Sequence, residues 1–145
     1  IAQSSQEFEP PTIPVRFKGD YATALREFRP LAEQGNVYAQ FNLGLMYYNG
    51  HGVIQDYNQA LKWWRKAVEQ GHVNAQVMLG KMYYDGRGVS QDDVYAHMWS
   101  NIAASTGDAE AIKNRDIVAE YMTPAQIAEA QKLARECVRK NYKGC

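Results

Sequence analysis

The sequence predicts an all-α fold, a solenoid of helical hairpins, and three observations carry that prediction. Residues 39–73, AQFNLGLMYYNGHGVIQDYNQALKWWRKAVEQGHV, recur 36 positions later as residues 75–109, AQVMLGKMYYDGRGVSQDDVYAHMWSNIAASTGDA, and 16 of the 35 positions are identical. A fixed period of roughly 20–50 residues marks stacked repeats. In each copy the apolar residues recur at helical spacing in two runs, Leu43, Met46 and Tyr47 in the first and Ala60, Trp63, Trp64 and Ala67 in the second. Between the runs stand Gly50-His51-Gly52 and Gly86-Arg87-Gly88, and glycine reaches the positive φ at which helices commonly stop.

The elements follow in order. Residues 1–16 hold Pro10, Pro11 and Pro14 without a helical period, which reads as an extended, poorly ordered leader. A start at Ile1 rather than Met fits signal-peptide removal and a shortened chain alike. Residues 17–145 then read as a single solenoid. Its first part, residues 17–38, aligns with the second half of a repeat: Asp20, Ala24 and Gly35 stand 36 positions before Asp56, Ala60 and Gly71. Phe28 and Leu31 are expected to cover the first full unit, and Pro30 to kink the helix.

Residues 39–74 and 75–110 are the full units. Gly44 and Gly80 leave a spot free of side chain where a second helix can come close. Asp56 and Asp92 are placed to cap the second helix of each unit, with Gln59 at the position that completes a capping box. Residues 111–145 form a degenerate cap. A helix over 108–121 is expected to turn Ile112, Val118 and Tyr121 inward. Thr123-Pro124-Ala125-Gln126 then starts a last helix over about 124–140, with Ile127, Ala130, Ala134, Cys137 and Val138 as its buried stripe.

The pattern A-x-x-x-L-G-x-x-Y-x-x-G-x-G-V-x-x-D followed by A-x-x-W-x-x-x-A-x-x-x-G resembles the Sel-one-like repeat (SLR), a relative of the tetratricopeptide repeat. The resemblance is close over residues 39–109 and looser over 19–38, and the segment from Met122 to Glu136 is similar to the terminal helix of bacterial chains of this family. It implies a right-handed α/α superhelix used as a scaffold for protein–protein contacts, often exported in bacteria, with no catalysis. It also carries an alternative, a small-ligand (β-lactam-like) binder or hydrolase, from the cysteine-rich branch of the family. A structural array module is a further reading.

Composition narrows the partners. Lys plus Arg and Asp plus Glu number 16 each, for a formal net charge of zero, so no basic footprint exists to drive nucleic-acid binding. No apolar run approaches the ~20 residues of a membrane span, and no membrane insertion is expected. No GxSxG, SxxK or HExxH pattern is present, and no phosphate loop accompanies the glycines. No cofactor or metal is expected. His51, His72 and His97 lack metal-ligand spacing and are expected to face solvent.

Cys137 and Cys145 lie eight residues apart. Gly144 would let the tail fold back and bring the sulfurs within bonding distance, which would fit an oxidising compartment such as the periplasm. The other reading is a buried thiol beside a frayed terminal one. Export to the periplasm or beyond is therefore the expectation, with a cytoplasmic location as the alternative.

Trp63 and Trp99 are locked to the repeat and read as core. Trp64, aligned with Phe28 and Ser100, varies and reads as partly exposed. The expected partner surface lies on the first helix of each unit. There Phe41, Leu45, Tyr48 and Asn49 correspond to Val77, Lys81, Tyr84 and Asp85, on a face apart from the Leu43/Tyr47 core face. The related tetratricopeptide architecture implies that this face lines the concave groove. These side chains change chemistry between copies while the Leu, Gly and Tyr positions do not. Packing against the adjacent helix is an equal alternative for Phe41 and Val77, and Tyr48, Lys81 and Tyr84 are the stronger candidates. The expected function is that of a monomeric, non-enzymatic adaptor for a peptide or protein partner.

Overall fold

Helix limits follow from the local chemistry of the chain. The computed structural model describes residues 20–145, so the leader read at residues 1–16 lies outside the described residues. Among the described residues there are seven helices: α1 Tyr21–Glu33, α2 Val37–Asn49, α3 Tyr57–Val68, α4 Val73–Asp85, α5 Asp93–Ala104, α6 Ala109–Ala119 and α7 Pro124–Arg139. The first helix of each hairpin is capped at one repeat position by three different side chains. Asn36, His72 and Asp108 each accept a hydrogen bond from the backbone N–H three residues on. At the start of α1, α3 and α5 the cap is always an aspartate: Asp20, Asp56 and Asp92 accept from Thr23, Gln59 and Tyr95 at 3.1 Å. These bonds hold the Asp20 carboxyl below the ordinary carboxylate range, the contacts with Thr23 being the main cause.

Gln59 does not close the capping box that its position allows. The Asp56 N–H donates instead to the Tyr47 carbonyl at 2.9 Å, and the Asp92 N–H to the Tyr83 carbonyl at 3.0 Å. Each loop is thereby tied to the end of the helix before it. Gly50 and Gly86 close α2 and α4 at φ 72° and 69°, a left-handed conformation that side chains rarely adopt. The box expected at Thr123 and Gln126 is present in both directions.

The chain divides into two compact units between Ala67 and Val68. In the first, α1, α2 and α3 enclose a core of Ala24, Phe28, Leu43, Met46 and Trp63. Helix α1 runs through Pro30 without interruption. Leu31, expected inside, is 43% exposed. Its buried face is Ala24, Phe28 and Ala32, and Leu31 is rotated by about 100° from Ala32. Trp64, expected to be partly exposed, is fully buried. Its Nε1 donates to the Phe41 carbonyl at 3.0 Å, and its ring lies on Gly44, where an added Cβ would stand 2.3 Å from Nε1. The glycine does provide the close approach that the sequence implied, and the indole rather than a backbone fills it.

In the second unit α5 is central, packed by α4, α6 and α7. Val77, Ala103, Ala104 and Ala111 form one buried cluster there. Helix α6 buries only Ala111 and Val118, a narrow stripe, so Ile112, expected inward, is 36% exposed, and Tyr121, also expected inward, lies past the end of the helix at 66%. Helix α7 buries Ala130, Ala134 and Cys137, and Val138, one position past Cys137, turns away at 48% exposure. Cys137 and Cys145 are joined by a disulfide, with their Cα atoms 5.7 Å apart. The tail turns through Asn141 and Tyr142, both at positive φ, as well as through Gly144. The Tyr142 N–H donates to the Cys137 carbonyl at 2.9 Å.

The histidines depart from the expected solvent-facing set. His51 is half-buried and stacks on Tyr21 with centroids 4.4 Å apart. His72 is buried as the α4 cap, its Nδ1 accepting the Ala75 N–H at 3.2 Å. His97 is buried on α5, where repeat 1 carries the half-buried Leu61. Burial, aided by the Arg115 guanidinium and opposed by Asp116, holds the His97 imidazole below the ordinary histidine range. An unfolded chain protonates this side chain near pH ~6.5, whereas the folded chain resists protonation until lower pH. Stability from this residue is therefore complete above that value and falls as pH drops through it. His97→Leu is expected to flatten the loss of urea midpoint between neutral and mildly acidic pH; an unchanged slope would assign the dependence elsewhere.

Candidate functional site

The partner surface expected on α2 and α4 divides by burial. On α2, Phe41 and Leu45 are buried. Tyr48 is half-buried, its ring 5.3 Å from Trp64 and 5.1 Å from Tyr57. Asn49 is exposed at the end of the helix. On α4, Val77 is buried, Lys81 and Tyr84 are half-buried, and Asp85 is exposed. Phe41, Leu45 and Val77 thus serve packing, while Tyr48 and Asn49 on α2 and Lys81, Tyr84 and Asp85 on α4 retain accessible atoms.

The two helix ends differ in chemistry because single positions differ. In the first repeat, Tyr57, Tyr48 and Trp64 form a run of rings. The corresponding residues of the second are Asp93, Tyr84 and Ser100. With no indole beside it, the Tyr84 ring has Tyr121 as its neighbour, centroids 6.5 Å apart. Partial desolvation, then the Tyr121 hydroxyl and the charges of Asp93 and Asp85, hold the Tyr84 phenol above the ordinary tyrosine range. It remains a hydrogen-bond donor at all physiological pH. Lys81 Nζ lies 3.5 Å from Glu110 Oε2, with the two side chains 42% and 54% exposed, an ion pair that water and salt weaken.

Beside Tyr84 a half-open cavity of about 230 Å³ is bounded by Gly80, Ser100, Asn114, Ile117 and Val118. The buried Nδ2 of Asn114 has no hydrogen-bond partner among the described residues. Sequence reasoning found Lys81, Tyr84 and Asp85 but missed Ser100, Asn114 and Ile117, and it placed Tyr121 inside. The signal for Ser100 was present in its alignment with Trp64. Among the described residues no three His, Cys, Asp or Glu side chains gather as a metal-holding group, and no helix is long and apolar enough to cross a membrane.

Helical hairpins repeated at 36 residues, with the same cap, loop tie and glycine stop in each copy, define a helical-repeat protein. Residues 37–72 and 73–108 each match the Sel1 repeat, and the chain belongs to that SLR family. Proteins of this family are typically protein–protein interaction scaffolds. The fold is similar to that of a protective antigen of uropathogenic Escherichia coli displaying an SLR fold, at 36% identity and a TM-score of 0.78, covering 83% of this chain and 27% of the antigen. It is also similar to a Sel1 repeat protein of Oxalobacter formigenes, at 30% identity and a TM-score of 0.57, covering 80% of this chain and 55% of that one. This chain thus spans about a quarter and about half of those two proteins. No curated protein gives a significant match.

Proposed function

We propose that this protein is a non-catalytic adaptor for a peptide or partner protein, in the bacterial envelope or outside the cell, each unit offering its own surface: the accessible end of α2 in the first and that of α4 in the second. The observation that supports it is the contrast within the repeat. The positions that build each hairpin are kept, while Tyr48 and Asn49 against Tyr84 and Asp85 keep one tyrosine and vary its surroundings. Tyrosine joins a large contact area to a polar tip. Lys81, with its partner Glu110, adds charge at the second helix. The disulfide fits an oxidising compartment, and the similarity to an E. coli antigen fits export.

The test is a Tyr48→Ala, Lys81→Ala, Tyr84→Ala triple variant beside the wild type, matched for circular dichroism and used as bait for envelope proteins. Loss of partner capture by the variant, with at least about a tenfold drop in affinity, is the expected result. Capture of the same partner at equal affinity would overturn the assignment of this face.

A further inference from the structure

The cavity beside Gly80 is lined by the residues that correspond to Gly44, Tyr48 and Trp64 of the first repeat. Gly44 and Gly80 are equivalent, as are Trp64 and Ser100, and Tyr48 and Tyr84. In the first repeat the indole rests on Gly44, donates Nε1–H to the Phe41 carbonyl, and has the Tyr48 ring 5.3 Å away. In the second repeat the glycine and the tyrosine remain, and the indole is replaced by a hydroxymethyl group. The Ser100 Oγ lies against Gly80, 2.8 Å from the position of a Cβ there, and is far smaller than an indole. The cavity is open, half-enclosed, and walled by Ile117 and Val118 of α6.

We infer that this cavity is a binding site for a planar aromatic ring, a tryptophan side chain presented by the partner, which takes in the second repeat the place of the missing indole. The inference rests on the adaptor reading for the source of the ring and on the cavity for its chemistry. The volume is adequate: an apolar cavity of roughly 150 Å³ takes a benzene ring, and this one is about 230 Å³. Ile117 and Val118 supply apolar walls, and Tyr84 supplies a ring face for offset or tilted stacking. The cavity is lined by polar groups as well. Asn114 is one of them, with its Nδ2 buried and without a partner among the described residues. Lys81 and Asp85 at the border of the cavity add one charge of each sign, suited to a polar backbone around an apolar anchor. Large aromatic anchors in pockets are the usual energetic centre of such contacts.

The test is amide NMR of the whole chain titrated with N-acetyl-tryptophanamide, N-acetyl-alaninamide and free indole. The expected result is saturable shifts at Gly80, Ser100 and Asn114 with the tryptophan amide and none with the alanine amide. Ser100→Trp, which rebuilds the first repeat's arrangement, is expected to weaken that binding at least about tenfold by filling the site from within. Should Ser100→Trp fail to fold, Ile117→Trp at the more exposed wall serves the same purpose. Absence of shifts at saturating tryptophan amide, undiminished binding in both filled variants, or binding of free indole alone would each overturn the inference. Its failure is separable from that of the adaptor reading. Ring binding without the partner capture described above counts against the adaptor, and capture undiminished by Ser100→Trp counts against the ring site.

Discussion

Trp64→Ala is expected to lower the stability of the first repeat by about 3–5 kcal/mol, the range for deleting a large buried aromatic. The effect has three sources. The side chain is fully buried, so its removal leaves a void where ring contacts were. Its Nε1–H bond to the Phe41 carbonyl is lost. Gly44 has no side chain with which to fill the space, because the absence of one there is what admits the indole. Truncation therefore leaves a cavity that α2 and α3 can close only by moving their backbones. Urea unfolding followed by circular dichroism measures the change. A midpoint within error of the wild type would contradict Trp64 as the piece that joins these two helices.

Opening the disulfide is expected to cost about 2–3 kcal/mol, as a loop-closure estimate for a short ring gives. The bond joins Cys137, buried on α7, to Cys145 across a separation of eight residues. With it open, the tail regains its freedom in the unfolded chain, and the turn through Asn141 and Tyr142 at φ 55° and 64° is no longer held covalently. Cys145→Ser, or wild type with reductant, should lower the urea midpoint by the same amount. A reductant effect that persists in Cys145→Ser would place its cause outside this bond, and no effect at all would mean the closed loop adds no stability.

Positions fixed by the repeat were legible because each is under the same physical demand in every copy. Asp56 and Asp92 cap, Gly50 and Gly86 take left-handed φ, and Trp63 and Trp99 pack. Side chains in the atypical parts at the two ends of the array were misplaced for the opposite reason. Helical spacing alone put Leu31, Ile112, Tyr121 and Val138 inside, but each helix is covered over a narrow arc, and residues at its edge or past its end stay wet. His72 was unreadable as a cap because histidine is an uncommon one, although Asn36 and Asp108 at the same position pointed to that role. Variation at Trp64 pointed to partial exposure, whereas the position lies beside a helix glycine in both repeats, filled by an indole in the first and approached by the Ser100 hydroxyl in the second. Burial on the candidate surface was not legible. Spacing named candidate positions on α2 and α4, but it could not separate the buried Phe41, Leu45 and Val77 from the accessible ends.

The central claim is that partners meet this protein at the ends of α2 and α4, and site-specific photo-crosslinking tests it most directly. A benzophenone amino acid would be placed at Asn49 or at Asp85, exposed positions that correspond across the repeat, and in a control at Ile54, which is 90% exposed. Illumination in envelope extract should give an adduct from Asn49 and an adduct from Asp85, and none from Ile54. Adducts from Ile54 with none from the other two would contradict the account.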